Sequence, residues 1–570
     1  MQAPLPQTVF EFMNWSWAQI EPYYNELGER PLAAANLHEW LTDWSRLSKL
    51  VYEAYQRLRV ATEVNTTDHQ AEARYHAFLE HIRPASLAAE QRLKEVLLAS
   101  GLQPAGFELP LRNMRAEADL FRAENLPLLS EELKLSAEYA RITGAQTVEW
   151  QEEEVTVSQL ATVYQEPDRE LRQRAWRLAS DRWLADREAI NAVWGKLLEL
   201  RCRLAANAGL ADYRQYRWRQ FLRFDYTPED CVRFQEAIEQ MVVPAALRIY
   251  ERRRERLGVP SLRPWDLAVD PLGRPPLKPF ETIAELEAKC EAMFHRVDPE
   301  LGAIFELMRR EKLLDLDNRK NKAPGGYCTD FPVAGRPFIF ANSVGVHDDV
   351  QTILHEGGHA FHFYAVFALP YYQQFYAPIE FMEVASMGME LLAAPYLTRQ
   401  QGGFYTPQDA ARARIEHLEG IILFWPYMAV VDAFQHWVYE NPAAAAQPAK
   451  CDAQWDALWE RFMPGVDWSG LEQERMTGWH RKLHIHEEPF YYVEYGLALL
   501  GAVQVWQKAL DDQAGAVAAY RRALALGCTA SLPELFATAG AKFAFDAGTL
   551  GGAVGLVEQV MEELERDAAR

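Results

Sequence analysis

Apolar residues recur at helical spacing over most of the chain. Leu47, Leu50, Val51 and Tyr55 share one face of a 3.6-residue repeat, and AEQRLKEVLLASGL (Ala89 to Leu102) continues the pattern until Gly101, a helix-ending residue. Two stretches read as strands instead: TVEWQEEEVTV (Thr147 to Val157), which is hairpin-like, and RPFIFANS (Arg336 to Ser343), rich in aromatic and β-branched residues. Pro and Gly interrupt the pattern at PWDLAVDPLGRPPLKP (Pro264 to Pro279) and NKAPGGYCTDFPVAGRP (Asn321 to Pro337), which read as loops. NPAAAAQPAKCD (Asn441 to Asp452) reads as a low-complexity surface connector. No repeat of fixed period is present. The pattern predicts a mainly α protein in which one strand, PFIFAN, runs directly into a helix.

Composition narrows the class. At 570 residues the chain exceeds what one core usually organises, so two lobes are expected: 1–205 as an N-terminal helical lobe and 206–570 as the region carrying the chemistry. Hydrophobic residues make up 49% and aromatics 12%, with 17 Trp, the composition of a globular protein with wide internal surfaces. Lys and Arg total 59 against 81 Asp and Glu, a formal charge of -22 that repels nucleic acid and anionic lipid, so neither is an expected partner. The longest apolar run, Ile421 to Val431, is too short for a bilayer and contains Pro426, so it reads as a core helix. Six dispersed cysteines (Cys202, Cys231, Cys290, Cys328, Cys451, Cys528) form no CxxC pair and read as reduced thiols. The first residues show no secretory pattern, and a cytoplasmic location is expected.

The chemistry concentrates in TILHEGGHAFHF (Thr352 to Phe363). His355 and His359 are four apart and project from one face of a helix, one turn separated, as two ligands of one metal must. Asp348 or Asp349 is placed to cap this helix, and Val350, Ile353, Leu354 and Phe361 to bury it. Glu356 stands about 100° around from His355, positioned to take a proton from water beside a metal without ligating it. Gly357 and Gly358 weaken the helix by roughly 1 kcal/mol each, a cost expected where backbone or substrate comes close. A third histidine at the metzincin position is absent, since Ala365 stands there, and the motif is not the reversed one. Downstream, PIEFMEVASMGMELL places Glu380, Glu383, Met387 and Glu390 on one face of an otherwise apolar helix, where acidic groups need partners. Glu390 or Glu380 could accept from a ligand histidine's second nitrogen; His347 and His362 read equally as site residues or as ordinary hydrogen-bonded histidines. APGGYC (Ala323 to Cys328) reads as a turn or a flexible substrate loop.

HEGGHAFH followed by FMEVAS resembles the paired HExGHxxH and FVExxS motifs of the thimet oligopeptidase and oligoendopeptidase F family of zinc metallopeptidases. The resemblance implies Glu383 as third ligand beside His355 and His359, with one Zn²⁺ per chain. HIHEEPFYYVEYGLALLGAVQVW (His484 to Trp506) is similar to the oligoendopeptidase F branch and points to His484, Tyr492 and Tyr495 as groups facing substrate, with His484 and His486 both open for the histidine role. AYRRALALGCTASLPELFATAGAKF (Ala519 to Phe543) and LFRAENLPLLSEELKLSAEYARITG (Leu120 to Gly144) extend the likeness from about Leu111 onward. Gly357 departs from the bulky residue usual in the motif. The family implies a two-lobed helical ellipsoid with a deep substrate channel, a small β-sheet beside the zinc helix, and hydrolysis of internal bonds in short unstructured peptides. A zinc carboxypeptidase of related fold and a non-catalytic peptide-binding scaffold are the alternatives.

Overall fold

The helix Leu37–Val64 shows how the apolar pattern folds: Trp40, Leu41, Trp44, Leu47 and Leu50 line its buried side. In the computed structural model, which describes residues 4–568, it shares a core with Trp17–Glu29 and Arg83–Ser100 through Leu27, Leu93 and Leu97. Burial of the Glu90 carboxylate in this bundle is compensated by donors from Tyr24 Oη (2.8 Å), Trp44 Nε1 (2.6 Å) and Ser48 Oγ (2.7 Å). Gly101 ends Arg83–Ser100 at φ 69°, the left-handed cap that the sequence predicts.

The chain is mainly helical and forms two compact units, each assembled from three segments. The first holds the residues up to Asp119, Leu277–Ala413 and Ala498–Phe543; the second holds Leu120–Pro276, Arg414–Leu497 and Ala544 onward. The expected division at 205/206 falls inside the helix Arg187–Asn207, within the second unit.

Five short strands form two sheets. In the second unit β1 (Thr147–Trp150) and β2 (Glu153–Thr156) make the expected hairpin, closed by Gln151 and Glu152 at φ 54° and 69°, as a two-residue turn between twisted strands requires. In the first unit β3 (Leu314–Asp317), β4 (Tyr327–Phe331) and β5 (Arg336–Ser343) lie in the order β3-β5-β4, with β3 parallel and β4 antiparallel to β5. β4 corrects the reading of 321–337 as loop throughout: Tyr327, Cys328, Thr329 and Phe331 are good strand formers, and they pair with β5 from Phe331↔Arg336 to Tyr327↔Phe340.

The connector reading of Asn441 to Asp452 is also corrected. It folds as the short helix Pro442–Ala445 and the start of Pro448–Phe462, each opened by proline in its first turn, with Ala445 and Cys451 buried. Ile421 to Val431 lies in the helix Pro407–Glu440, whose Trp425, Met428, Val430 and Phe434 are fully buried. This is the one helix among the described residues long and apolar enough by composition to cross a membrane, and its burial gives it a core role. None of the six cysteines is in a disulfide.

Candidate metal centre

β5 runs into the motif helix His347–Val366 through a turn fixed by Asp349, whose carboxylate accepts from the backbone N–H groups of Val344 (2.9 Å), Gly345 (2.7 Å) and Val346 (2.9 Å). Of the two aspartates, Asp349 therefore sets the start of the helix. The acidic helix, Ile379–Ala393, packs along it. The two glycines permit this. A Cβ on Gly358 would lie 2.3 Å from the Ala385 carbonyl oxygen and 2.6 Å from Ser386 Cα, and one on Gly357 would lie 2.5 Å from the Phe294 ring. The close approach read from the glycine pair is thus an approach of helix to helix.

That approach brings His355, His359 and Glu383 together. His355 Nε2 lies 3.4 Å and His359 Nε2 3.6 Å from Glu383 Oε2, and one ligand atom from each residue lies within 4.8 Å of the others. A tetrahedral ion with bonds of about 2.0–2.2 Å holds its ligand atoms roughly 3.4 Å apart, so the spacing fits a zinc-sized ion, and two nitrogens with one carboxylate are ligands zinc accepts. Glu390 Oε1 is 2.7 Å from His355 Nδ1, which fixes the tautomer that leaves Nε2 free to ligate. Ser386 Oγ donates to Glu383 Oε2 at 3.0 Å. Burial disfavours the Glu383 charge, but His359, His355 and Ser386 outweigh it and hold the carboxyl below its usual range. Burial lowers His359 to about 4, leaving it neutral with a lone pair to give.

Glu356 sits on the same helix, buried, beside but outside the ligand set. Desolvation, with Glu383 and Glu390 adding to it, pushes its carboxyl up to about 7, which the neighbouring His355 ring and a backbone hydrogen bond at Cys328 oppose. A carboxyl that exchanges protons near neutrality is suited to general-base work. The strand residue Cys328 was missed from the sequence, because only the pairing of β4 with β5 brings it here. Ser386 was also missed, although its position three residues after Glu383 was a readable signal.

The remaining histidines separate. His362 is buried with neither ring nitrogen hydrogen-bonded, and burial lowers it to about 3, so it is a neutral core group. His347 meets Tyr405 Oη at 2.8 Å through Nδ1. His359 Nδ1 has no hydrogen-bond partner, so the orienting carboxylate expected of Glu390 or Glu380 is supplied by Glu390, and to His355.

His484, Tyr492 and Tyr495 belong to the second unit and cluster there, with ring centroids 4.9 Å (His484 to Tyr492), 6.2 Å (His484 to Tyr495) and 5.8 Å (Tyr492 to Tyr495) apart. His484 is partly exposed, whereas His486 is sealed between Tyr139 (4.2 Å) and Trp479 (5.8 Å), so His484 is the one of the two able to meet a ligand. Burial, aided by Lys482, lowers His484 to about 4, and burial raises the Tyr492 hydroxyl, so both stand neutral near pH 7 with a proton to donate. Lys482 lies 3.6 Å from the Tyr492 ring centroid, a contact no sequence motif marked.

No curated protein sequence matches the chain as a relative. Among solved structures it is similar to Pz peptidase A in complex with an inhibitor (26% identity, 99% of each chain covered, TM-score 0.86). It is equally similar to a structure assigned as an oligoendopeptidase F (26% identity, 97% of this chain and 98% of that one, TM-score 0.86). One from Bacillus anthracis str. Ames, assigned the same way, shares the fold at 23% identity, with 98% of each chain covered and a TM-score of 0.83. The model for Peptidase family M3 matches residues 162–551, which take in the paired histidines, the acidic helix and the tyrosine segment. On that match, with the oligoendopeptidase F structures beside it, the chain belongs to peptidase family M3.

Proposed function

We propose that the protein is a zinc-dependent oligoendopeptidase that cuts internal bonds of short unstructured peptides. The observation that carries this reading is the convergence of His355 Nε2 and His359 Nε2 on Glu383 Oε2 at 3.4 and 3.6 Å, with a protonatable Glu356 beside them. In this reading His355, His359 and Glu383 hold one Zn²⁺, which supplies Lewis acidity toward the peptide carbonyl and toward water. Glu390 keeps the His355 proton on Nδ1. Glu356 takes a proton from the attacking water and returns it to the leaving amine. His484, Tyr492 and Tyr495 donate hydrogen bonds to the substrate, a role that rests on the family resemblance. Family membership and the structural neighbours support peptides as the substrate class.

The test is a mass-spectrometric time course on an unstructured peptide of about ten residues. Internal cuts, abolished by chelation and restored by Zn²⁺, are expected. Stepwise loss of carboxyl-terminal residues would replace this reading with the carboxypeptidase, and an intact peptide with zinc bound would replace it with the scaffold.

A further inference from the structure

A second set of metal-ligating groups lies in the second unit. The helix Pro228–Met241 supplies Cys231, and Pro407–Glu440 supplies Asp432 and His436, four apart and one turn separated like His355 and His359. One ligand atom from each residue lies within 4.8 Å of the others. All three are buried: Cys231 and Asp432 at 0% and His436 at 4% relative exposure.

Protein partners leave Asp432 and His436 incompletely satisfied. Gln235, one turn after Cys231, donates its side-chain amide to Asp432 Oδ2 at 2.7 Å, but Oδ1 has no hydrogen-bond partner. Neither ring nitrogen of His436 has one. The His436 ring is enclosed by Trp218 and Phe490, with centroids 5.8 and 5.2 Å away, which exclude rather than replace water. No Lys or Arg among the described residues lies within ion-pair distance of Asp432, and His436 Nε2 stands 3.5 Å from Oδ2, outside good hydrogen-bond distance. A buried carboxylate and a buried imidazole both left short of partners are costly unless something bridges them. The 3.5 Å separation is the spacing of two ligands on one ion with bonds of about 2.0–2.2 Å.

We propose that Cys231, Asp432 and His436 form a second metal site, closed to solvent and structural in kind, that takes a borderline-soft divalent ion such as Zn²⁺. The ligand set gives the selectivity: sulfur and imidazole favour Zn²⁺ over the hard ions Mg²⁺ and Ca²⁺, which want oxygen. Charge balances as well. The Cys231 thiol releases its proton to solvent on binding, and thiolate plus carboxylate with a neutral imidazole offset the two charges of the ion. Such an ion cross-links the helices Pro228–Met241 and Pro407–Glu440.

The sulfur makes this site distinguishable from the first set, which has none. Metal analysis of the full-length protein, purified without chelator, is expected to give two zinc ions per chain and one in the His355→Ala/His359→Ala variant. Replacing zinc by Co²⁺ is expected to produce a near-ultraviolet thiolate-to-cobalt charge-transfer band, kept in that double variant and lost in Cys231→Ala and Cys231→Ser. One ion per chain with no such band in the wild-type protein overturns the proposal, without recourse to any variant. So does a band that survives both Cys231 substitutions.

Discussion

Two helices of this protein each present a pair of candidate ligands four residues apart, and the pairs differ in what surrounds them. His355 and His359 keep 25% and 14% of their side-chain surface accessible, with a base beside them and Glu390 and Ser386 bracing the set. Asp432, His436 and Cys231 are all buried, their ligand atoms within 4.8 Å of one another, and the His436 ring is enclosed by Trp218 and Phe490. A metal that reacts needs an open position and ligands oriented from behind; one that only binds helices together needs neither substrate access nor a base. Spacing on the helix is common to both, so accessibility and the second layer of contacts decide the role.

The largest effect that would break this comparison is on turnover. Tyr492→Phe is expected to lower kcat about 10²- to 10³-fold while leaving the metal content at both sets unchanged, read by steady-state kinetics beside metal analysis. Equal loss of activity and metal would make Tyr492 a folding residue. Next, Glu390→Gln should weaken metal binding at the open set about 10- to 100-fold, measured by competition with a chelating dye, and leave the sulfur-containing set as it was. Unchanged affinity would reduce the Glu390 contact to an ordinary ion pair.

Gly358→Ala probes the packing beneath the open set. The added methyl meets backbone at 2.3 Å, so a loss of about 2 kcal/mol in unfolding free energy is expected, with metal lost from the open set first. A variant as stable as wild type would mean the two helices part easily.

The last effect concerns a buried carboxylate that has no cationic partner among the described residues. Asp330 accepts from Tyr52 Oη at 2.9 Å and from Tyr376 Oη at 3.3 Å, and desolvation raises it to about 7. Its unfolded value is about 3.9, so the folded protein holds the proton more tightly. The stability it contributes is full below about pH 4 and is lost as pH rises through about 7. Unfolding free energies from denaturant melts across that range should fall in the wild type, by up to about 4 kcal/mol for a shift of that size, and fall less in Asp330→Asn. Identical slopes would show that Asp330 titrates normally.

The histidine pair and the acidic helix of the open set were legible in the sequence because they are local, two histidines one turn apart and a patterned helix a short way downstream, whereas the choice of Glu383 among the acidic residues came from the family resemblance. β5, the β1–β2 hairpin and the Gly101 helix end were legible for the same reason, since turn residues bracket short patterned runs. β4 was hidden because its five residues lie among Gly and Pro, and only pairing with β5 marks them as a strand. The helices after Asn441 were hidden because a proline that opens a helix looks the same in sequence as one that ends it. The sealed set was invisible because Cys231 comes from a helix far away in sequence, and no spacing rule joins it to Asp432 and His436.

The central claim is that the open set, with Glu356 as its base, is the reaction centre. Its most direct test is Glu356→Gln, compared with wild type for metal content and for cleavage of one peptide. The account predicts unchanged metal and a fall in turnover of about 10²- to 10⁴-fold. Wild-type turnover with the metal in place would contradict it.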